Sequence, residues 1–418
     1  MAELANLNRE RLLERFLRYV KVNTTANAET QVYPSSEGQW ELGRMILAEL
    51  EELGAQDAHV DEYGLVWAMI PGNVEDTPTI GWNSHLDTSP ETTGENVKPH
   101  VIQSYEGGDI PLAGDSSKII TIAENPELND LIGKTLITTD GTTLLGGDDK
   151  AGIAIIMESA HYLTEHPEIK HGPIRILFTC DEEIGRGVNH VDIDKMGAVA
   201  AYTLDGGGAG DIDVETFSAD GLTVIVKGVN IHPSIAKDRM VNALRAAGAL
   251  LERLPPEQAP ETTEDRVGFI HPYVLDGGVA EVTIKILLRD FETAQLQVKA
   301  DLVVEIARQV EKDYPGITIE VDHQKQYRNM ADGLPNEPRA VEFAKQAHDE
   351  LGLEYRLSSI RGGTDGSMLT EKGLPTPNLS SGQHTQHSPL DWACLDEMIQ
   401  QGQVLIQTAV VWANNSQS

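Results

Sequence analysis

The sequence predicts an α/β protein in which a mixed sheet with helices on both faces is interrupted by a smaller α+β domain. Three observations predict this class. Short apolar segments alternate with helical patterns through residue 216, as in a sheet covered on both faces. After about Phe217 the apolar residues instead alternate in period two, and after Asn329 the first pattern returns. The chain therefore combines two kinds of layered structure.

The first part of the chain opens with helices and continues with buried strands. Apolar residues recur on one helical face over 12–20, and a second helix follows the cap-like Ser35 and Ser36 and ends at Gly54. A further helix is predicted over 151–163. The strands are short, apolar and bounded by turn residues, which favours a parallel or mixed sheet. They are predicted at 65–70, 79–84, 174–179 and 199–204.

The middle part has a different order of elements. Strand patterns at 223–229, 280–288 and 317–321 alternate with helical patterns at 241–254 and 293–314. The order β-α-β-α-β, with room for one more strand, predicts a two-layer sandwich with the helices on one face of the sheet.

The last part of the chain returns to the α/β pattern, with a helix over 337–351, the loop IRGGTDGS and a final helix from about Leu395. His387, a candidate metal ligand, lies in this part, whereas the middle part contains no such segment. If His387 joins the other candidates, the first and last parts must fold together. We therefore expect one discontinuous domain of residues 1–216 and 330–418 and an inserted domain of residues 217–329.

The amino-acid composition excludes several classes of binding partner and site. The chain has 418 residues with 66 acidic and 32 basic side chains, and this formal net charge of −34 argues against nucleic acid or an anionic membrane as partner. No stretch has the length and apolarity of a signal peptide or a membrane span, so we expect a cytoplasmic protein. Cys180 and Cys394 are the only cysteines, too few for a zinc–thiolate site.

Metal-ligating residue types occur at the ends of predicted strands or in tight turns. The segments HLD, GGDDK, DEE, LDGG and QHSP supply them, as His85, Asp148, Glu182 with Glu183, Asp205 and His387. Any one of these segments is more often a solvated strand end. Together they offer the oxygen and nitrogen ligands that two divalent cations sharing one carboxylate need, which predicts a two-zinc hydrolase.

Local context suggests roles for some of these residues. Asp87 follows His85 by two positions and can orient a metal-bound imidazole, although a surface histidine beside a turn aspartate looks the same. Glycines before Asp148 permit the unusual backbone that a bridging carboxylate needs, although a helix N-cap is the alternative. In DEE one glutamate can ligate while the other acts as general base. The alternative is a charged strand end, but three adjacent acids repel one another unless cations are present.

Other polar residues remain open from residue types alone. His384 and His387 are spaced to share a metal on a helix, but the following Ser-Pro favours a loop, and we prefer His387 alone. His232 and Arg289 in the middle part are predicted at strand ends. An arginine suits a substrate carboxylate, but exposed surface positions are the plainer interpretation of both residues.

Long motifs of this chain resemble the peptidase T group of the di-zinc M20 metallopeptidases. They are, in order, HLDTSP, TTDGTTLLGGDDKAG, FTCDEEIGRG, YTLDGGG, NIHPSIAK, LLRDF and IRGGTDGS. HxD and DEE mark only the wider M20 family, whereas the extended GGDDK segment and the pair NIHPSIAK and RDF point to peptidase T. The chain has GGDDK for GADDK, HPS for HPG, and HSPLD for HGxxE, and these departures keep every proposed ligand.

The resemblance implies a zinc-peptidase catalytic domain split by an inserted lid domain. It implies one zinc ion on His85, Asp148 and Asp205 and a second on Asp148, Glu183 and His387, so that Asp148 bridges the two Zn²⁺ ions of each subunit. The peptide bond after Asp148 would be cis.

The resemblance also implies roles for residues that bind no metal. Glu182 would be the general base for attack by a water that bridges the metals, and Asp87 would orient His85. His232 would help to bind the scissile carbonyl oxygen. Arg289, together with Arg361, would bind the carboxylate of the substrate.

These observations predict a zinc aminopeptidase that releases the N-terminal residue from tripeptides. Its partners would be small peptides, and an exposed edge of the lid sheet would allow a homodimer. Another M20 amidohydrolase, such as a dipeptidase, carboxypeptidase or deacylase, would share all the metal residues. A catalytically silent peptide-binding protein is a further alternative, but binding alone does not need Glu182.

Overall fold

The computed structural model describes residues 4–415, which form two compact units. The first comprises the chain up to Val214, Gly333–Ser358 and the chain from Thr364 onward. The second comprises Glu215–Asp332 and Ser359–Gly363. The main division lies within a few residues of the expected one. The short piece Ser359–Gly363 instead belongs with the second unit, where the Phe217 N–H donates to the Ile360 carbonyl.

The α-helices, in chain order, are α1 (Arg9–Tyr19), α2 (Glu37–Glu52), α3 (Gly147–Glu165), α4 (Ile193–Met196), α5 (Ala243–Arg253), α6 (Thr293–Asp313), α7 (Arg339–Leu351), α8 (Asp365–Glu371) and α9 (Leu395–Asn415). The strands are β1 (Gln56–Val60), β2 (Val66–Ile70), β3 (Ile80–His85), β4 (His100–Ile102), β5 (Ile110–Pro111), β6 (Ile119–Ile120), β7 (Leu136–Thr138), β8 (Ile174–Thr179), β9 (Ala200–Gly207), β10 (Asp211–Thr216), β11 (Ser218–Lys227), β12 (Phe269–Gly277), β13 (Glu281–Asp290), β14 (Thr318–Tyr327), β15 (Arg356–Ile360), β16 (Asn378–His384) and β17 (Trp392–Cys394).

A large mixed sheet organises the first unit. Its strand order is β1-β2-β8-β3-β9-β16-β17-β7-β4, and β10 lies beside β16 and β15. The central strands β8, β3, β9 and β16 are parallel, whereas β2 and β17 flank them in antiparallel orientation. Because parallel strands place their carboxyl ends at one edge of a sheet, the segments that follow these four strands meet there.

Successive apolar side chains of a strand point to opposite faces of this sheet, which explains why helices cover both faces. Val66 and Ala68 of β2 belong to the apolar core that includes residues of α1, α2, α3 and α9. Trp67, between them, points to the other face and packs in a smaller core with Met196 of α4 and Leu369 of α8. The predicted mixed sheet with helices on both faces is confirmed.

Helix α3 begins at the glycine-rich turn of GGDDK. Gly146, with a φ of 82°, is its N-cap, and the backbone of Asp148 and Asp149 is non-helical, with a cis peptide bond between them. Further along, a Cβ at Gly152 would lie 2.1 Å from the carbonyl oxygen of Leu204 in β9. The helix therefore approaches the sheet closely and carries Asp148 to the same edge as the strand ends.

The second unit is a four-stranded antiparallel sheet of order β12-β13-β11-β14. Alternate residues of β11 and β13, such as Val224 and Ile284, are buried against Ala247 of α5 and Val303 of α6. Strand β12 is the additional strand for which the sequence left room. The predicted two-layer α+β sandwich is confirmed.

None of the helices within residues 4–415 is both long and apolar enough to cross a membrane.

Candidate metal centre

The carboxyl ends of the central strands bring the candidate ligands of the first unit together. His85 is the last residue of β3, Asp205 lies near the end of β9, and the turn that follows β8 holds Glu182 and Glu183. His387 lies in the loop between β16 and β17. Donor atoms of His85, Asp148 and Glu183 lie within 4.8 Å of one another, as do those of His85, Asp149 and Asp205.

Asp148 presents its two carboxylate oxygens to different histidines. Its Oδ1 lies 2.9 Å from Nε2 of His85, which is also 3.7 Å from Oδ1 of Asp205. Its Oδ2 lies 3.3 Å from Nε2 of His387, which is also 3.0 Å from Oε2 of Glu183. One carboxylate thus joins two groups, each with one imidazole and one further carboxylate.

Asp87 links the first histidine to the DEE turn. The Nδ1 of His85 donates to the carbonyl oxygen of Asp87 at 3.1 Å, and the Asp87 carboxylate lies 3.4 Å from the same nitrogen. That carboxylate also accepts the backbone N–H groups of Glu182 (3.0 Å) and Glu183 (3.1 Å). Asp87 therefore contacts both the imidazole and the turn that carries the two glutamates.

Burial of several acids at one place perturbs their protonation. Burial, with repulsion from Asp148, raises the pKa of Glu183 to about 8 and that of Asp205 to about 7. Burial likewise raises the pKa of Asp149 well above its usual range. Hydrogen bonds to Asp148 and Glu183 raise the pKa of His387 to about 11. In this cluster the buried acids outnumber the groups that can carry a positive charge.

The donor set fits divalent metal ions. It consists of imidazole nitrogens and carboxylate oxygens, which zinc accepts, and contains no thiol. Two buried oxygens, Oε1 of Glu183 and Oδ1 of Asp149, have no hydrogen-bond partner in the described part of the chain. Unpartnered buried oxygens that face other carboxylates are better satisfied by a cation than by a further hydrogen-bond acceptor.

Glu182 differs from its neighbour Glu183. Burial raises its pKa well above the usual range, and repulsion from Asp205, Asp365 and Glu183 adds to that effect while His85 opposes it. Within residues 4–415 its carboxylate makes no hydrogen bond, whereas that of Glu183 faces His387. A basic carboxylate beside the candidate ligands, with no partner of its own, has the properties of a general base.

The two C-terminal histidines have separate surroundings. The carbonyl oxygen of His387 accepts the Thr92 hydroxyl at 2.7 Å, and its Nδ1 lies 3.3 Å from Oε2 of Glu91. His384 instead stacks on Trp392 with ring centroids 3.8 Å apart, and its Nε2 lies 2.7 Å from Oε2 of Glu397. The structure thus brings His387, and not His384, to the cluster.

Residue patterns did not single out Asp149 or Glu91. The Oδ2 of Asp149 accepts the hydroxyl hydrogen of Ser84 and, at 3.2 Å, the backbone N–H of His85. Its position beside Asp148 in GGDDK was the available signal. Glu91 reaches His387 from a part of the sequence almost 300 residues away, and no local pattern indicates that pairing.

The second unit contains the other predicted site residues. Arg289 lies near the end of β13, as predicted; it donates to the Tyr327 hydroxyl, and burial lowers its pKa to about 10. The prediction that His232 lies at a strand end is wrong, because β11 ends at Lys227 and His232 caps a short turn, where its ring accepts the Ser234 N–H. The terminal nitrogens of Arg361 donate to backbone carbonyls of the 263–267 loop.

Comparisons with known proteins place this chain in a family. The model of peptidase family M20/M25/M40 matches residues 141–410. The chain belongs to peptidase family M20/M25/M40. A peptidase T of Geobacillus kaustophilus is 43% identical to this M20 peptidase over 400 residues, which are 96% of this chain and 97% of the relative. The predicted family and its peptidase T group are therefore confirmed, and with them the prediction that the chain is a peptidase.

Solved structures agree with the fold. The crystal structure of an aminopeptidase from Bacillus cereus is 23% identical and superposes with a TM-score of 0.74, covering 97% of this chain and 99% of that chain. A tripeptidase from Staphylococcus aureus is 21% identical with a TM-score of 0.77, covering 98% and 100%. The M20 peptidase thus has the same fold as these two proteins.

Proposed function

We propose that this M20 peptidase is a cytoplasmic zinc aminopeptidase that releases the N-terminal residue from tripeptides. The observation that carries the proposal is the division of the Asp148 oxygens between His85 and His387. A shared carboxylate with one imidazole and one further carboxylate on each side supports two metal ions rather than one. The proposed sets are His85, Asp148 and Asp205, and Asp148, Glu183 and His387.

The chemistry of the reaction follows from the residues around that centre. Cations held by these residues would supply positive charge that polarises the scissile carbonyl and makes water more acidic. Glu182 takes the proton from the attacking water and delivers it to the nitrogen of the leaving amine. Asp87 holds the His85 ring and the main chain of the Glu182 turn, so that the base keeps its place relative to the ligands.

The chemistry of Arg289 supports recognition of a free carboxylate. Among the described residues no aspartate or glutamate lies within ion-pair distance of its guanidinium, which rests 4.9 Å from the centre of the Tyr327 ring. A half-buried guanidinium whose charge is not neutralised suits an anionic substrate group. We assign it the C-terminal carboxylate of the peptide. For His232 the proposed contact with the scissile carbonyl rests on the sequence resemblance alone.

A peptide panel tests the proposal. Free-acid di-, tri- and tetrapeptides of one sequence series are incubated with the zinc-loaded enzyme, and the products are identified by mass spectrometry. We expect the N-terminal residue to be released, with the highest kcat/KM for tripeptides. Release of the C-terminal residue, or preference for dipeptides or acylated amino acids, would move the enzyme to another M20 activity. Binding without turnover would support the catalytically silent alternative.

Two variants separate the roles of the residues. Glu182→Gln should retain both metals and lose about 10²- to 10⁴-fold in kcat, because only the proton acceptor is removed. Arg289→Ala should lower kcat/KM for a free-acid tripeptide while leaving that for its C-terminal amide almost unchanged. Equal turnover of acid and amide by the unmodified enzyme would contradict carboxylate recognition.

We also propose a homodimer through the edge of the second unit's sheet. Strand β12 is an edge strand, and Tyr273, Val274 and Leu275 on it are exposed. Sedimentation analysis should give twice the mass of one chain, and Val274→Lys should lower it to that of one chain. A single-chain mass for the unmodified protein would contradict the dimer.

A further inference from the structure

Asp391 is a buried carboxylate four positions after His387 that binds the main chain of the GGDDK turn. Its Oδ2 accepts the backbone N–H groups of Leu145 (2.9 Å), Gly146 (2.7 Å) and, more weakly, Gly147 (3.4 Å). Its side chain is almost fully buried, and no hydrogen-bond partner lies near its Oδ1 within residues 4–415. The turn that it binds ends directly at Asp148.

The shape of this turn depends on its glycines. Gly146 adopts a φ of 82°, in the left-handed region that glycine enters without steric cost. Successive N–H groups of such a turn converge on one point and form a binding place for an anion. A Cβ at Gly147 would lie 3.3 Å from Oδ1 of Asp391, so a side chain there would crowd the carboxylate. The turn and Asp391 thus fit each other closely.

The consequence lies in which segments Asp391 connects. Asp148 and His387 come from segments on either side of the insertion, and Oδ2 of Asp148 lies 3.3 Å from Nε2 of His387. Asp391 lies four residues after His387, and its carboxylate binds the main chain of residues 145–147, directly before Asp148. A shift of either segment would therefore change the separation of these two side chains.

The same device occurs at the other histidine. Asp87 follows His85 by two residues, and its carboxylate accepts the N–H groups of Glu182 and Glu183. Each of the two histidines is thus followed closely by an aspartate that binds the main chain of another segment. Asp87 binds the turn of Glu182 and Glu183, and Asp391 binds the turn before Asp148. Asp87 contacts the His85 side chain as well, whereas the hydrogen bonds of Asp391 go only to backbone N–H groups.

We propose that Asp391 is a positioning residue that fixes Asp148 relative to His387 and thereby sets the metal affinity of the centre. The inference rests on the proposed two-metal function. A plain helix-capping role would stabilise the start of α3 but would leave metal affinity unchanged in the folded protein. Metal affinity, measured separately from stability, therefore distinguishes the two roles.

The experiment measures zinc binding and unfolding for Asp391→Asn beside the unmodified enzyme. Zinc affinity is obtained by competition with a chromophoric chelator, and the unfolding midpoint is measured in the metal-free form. We expect zinc binding to weaken about 10- to 100-fold, the range typical of residues that orient ligands. We also expect kcat to fall at least about tenfold while KM changes less than about threefold, because the substrate does not contact Asp391.

Asp61→Asn is the matched control. Asp61 also accepts main-chain N–H groups in a turn, from Tyr63 (2.9 Å) and Leu65 (3.1 Å), and the indole N–H of Trp67 (2.8 Å). Its bonds resemble those of Asp391 but involve no residue of the metal centre. We expect Asp61→Asn to lower the unfolding midpoint without changing zinc affinity.

Unchanged zinc affinity in Asp391→Asn would overturn the positioning role, as would equal losses of affinity in Asp391→Asn and Asp61→Asn. Absence of zinc binding by the unmodified enzyme would overturn the proposed function itself and is read from the same titration. If Asp391→Asn does not fold, Asp391→Ser is measured in its place, because its shorter side chain has no carboxylate to bind the three N–H groups of the turn. Weaker zinc binding is again expected, and wild-type affinity in that variant would overturn the proposal.

Discussion

Two positions on helix α3 hold buried acids, and they differ in what balances the negative charge. In the middle of the helix, Glu158 is completely buried and accepts from Arg11 Nε at 2.7 Å and from Arg15 Nη1 at 2.5 Å. At the start of the helix, the carboxylate of Asp148 faces the imidazoles of His85 and His387 instead of arginines. The first group is neutralised by guanidinium groups that are always charged, and the second is not.

The difference separates a structural use of buried acids from a functional one. An ion pair with its own arginine is complete within the protein, so it fixes α1 against α3 and needs nothing from solution. Acids whose pKa values are raised by burial and mutual repulsion lower their free energy when a cation enters. The absence of arginine or lysine from the contacts described for Asp148, Glu183 and Asp205 therefore indicates a metal centre.

Asp148→Ala should produce the largest effect, because it removes the carboxylate common to both proposed metal sites. We expect zinc to be lost from both sites and kcat/KM to fall by roughly three orders of magnitude or more, beyond the 10- to 100-fold typical of residues that only support a ligand. Metal analysis by mass spectrometry, together with steady-state kinetics, measures both. Loss of a single metal equivalent would contradict the shared carboxylate.

Glu158→Gln should produce the largest loss of stability. The change removes one of the two carboxylates that pair with buried Arg15, which keeps only Glu49 at 2.9 Å. Removal of one member of a buried ion pair costs about 3–5 kcal/mol in the free energy of unfolding. Chemical denaturation measures it. Glu165→Gln is the control, because Glu165 is half exposed and also pairs with Arg11; its loss should cost less than about 1 kcal/mol. Similar losses for both variants would contradict the structural role of the buried pair.

The pH dependence of stability should reveal the uncompensated acids. The folded pKa values of Glu183 (about 8) and Asp205 (about 7) lie above those of the unfolded chain, so the folded state binds more protons between about pH 4 and 8. The metal-free protein should therefore lose stability as the pH rises through this range, by about 2 kcal/mol or more. Denaturation at pH 5 and pH 8 with a chelator present measures the change.

Glu183→Gln should reduce that pH dependence, because the side chain at position 183 then no longer titrates. In the unmodified enzyme, added zinc should make stability rise with pH instead of fall, since the ligands bind metal in their deprotonated forms. A metal-free protein that becomes more stable from pH 5 to pH 8 would show that the cluster does not repel itself.

Asp205→Asn should have the smallest effect on the metal-free protein. The amide removes a charge from the cluster, so we expect the free energy of unfolding at pH 7.5 to stay the same or to rise by up to about 1 kcal/mol, the opposite of Glu158→Gln. The same variant should bind zinc more weakly. Strong destabilisation of the metal-free variant would mean that Asp205 is already balanced within the protein.

The sequence predicted β3, β8 and β9 of the four central strands, but not β16, because these three are short apolar runs with carboxylates or histidines at or just beyond their ends. Parallel pairing then brings the segments after β3, β8, β9 and β16 to one edge without any detailed knowledge of packing. The convergence of His85 with the DEE turn and Asp205 follows from topology alone. The resemblance to peptidase T supplied the assignment of each residue to one of the two metals.

Other features depend on contacts that no local pattern records. Strands β4 to β7 have two or three residues each, too few to show a periodicity. The bond between Asp391 and the glycine turn joins segments about 245 residues apart. His232 was misplaced because β11 ends at Lys227, and the chain then enters a loop whose apolar residues, such as exposed Val229, look like a continuing strand.

The order of the ligands along the chain constrains when the enzyme can mature. His85 is synthesised first, and His387 and Asp391 follow about 300 residues later. At roughly 5–20 residues per second, a ribosome needs about 15–60 s to cover that distance. Throughout this interval the nascent chain exposes the first acids without the histidine that completes the second group. Metal loading of the whole centre must therefore wait until His387 has been synthesised, so a nascent chain cannot digest peptides before that point.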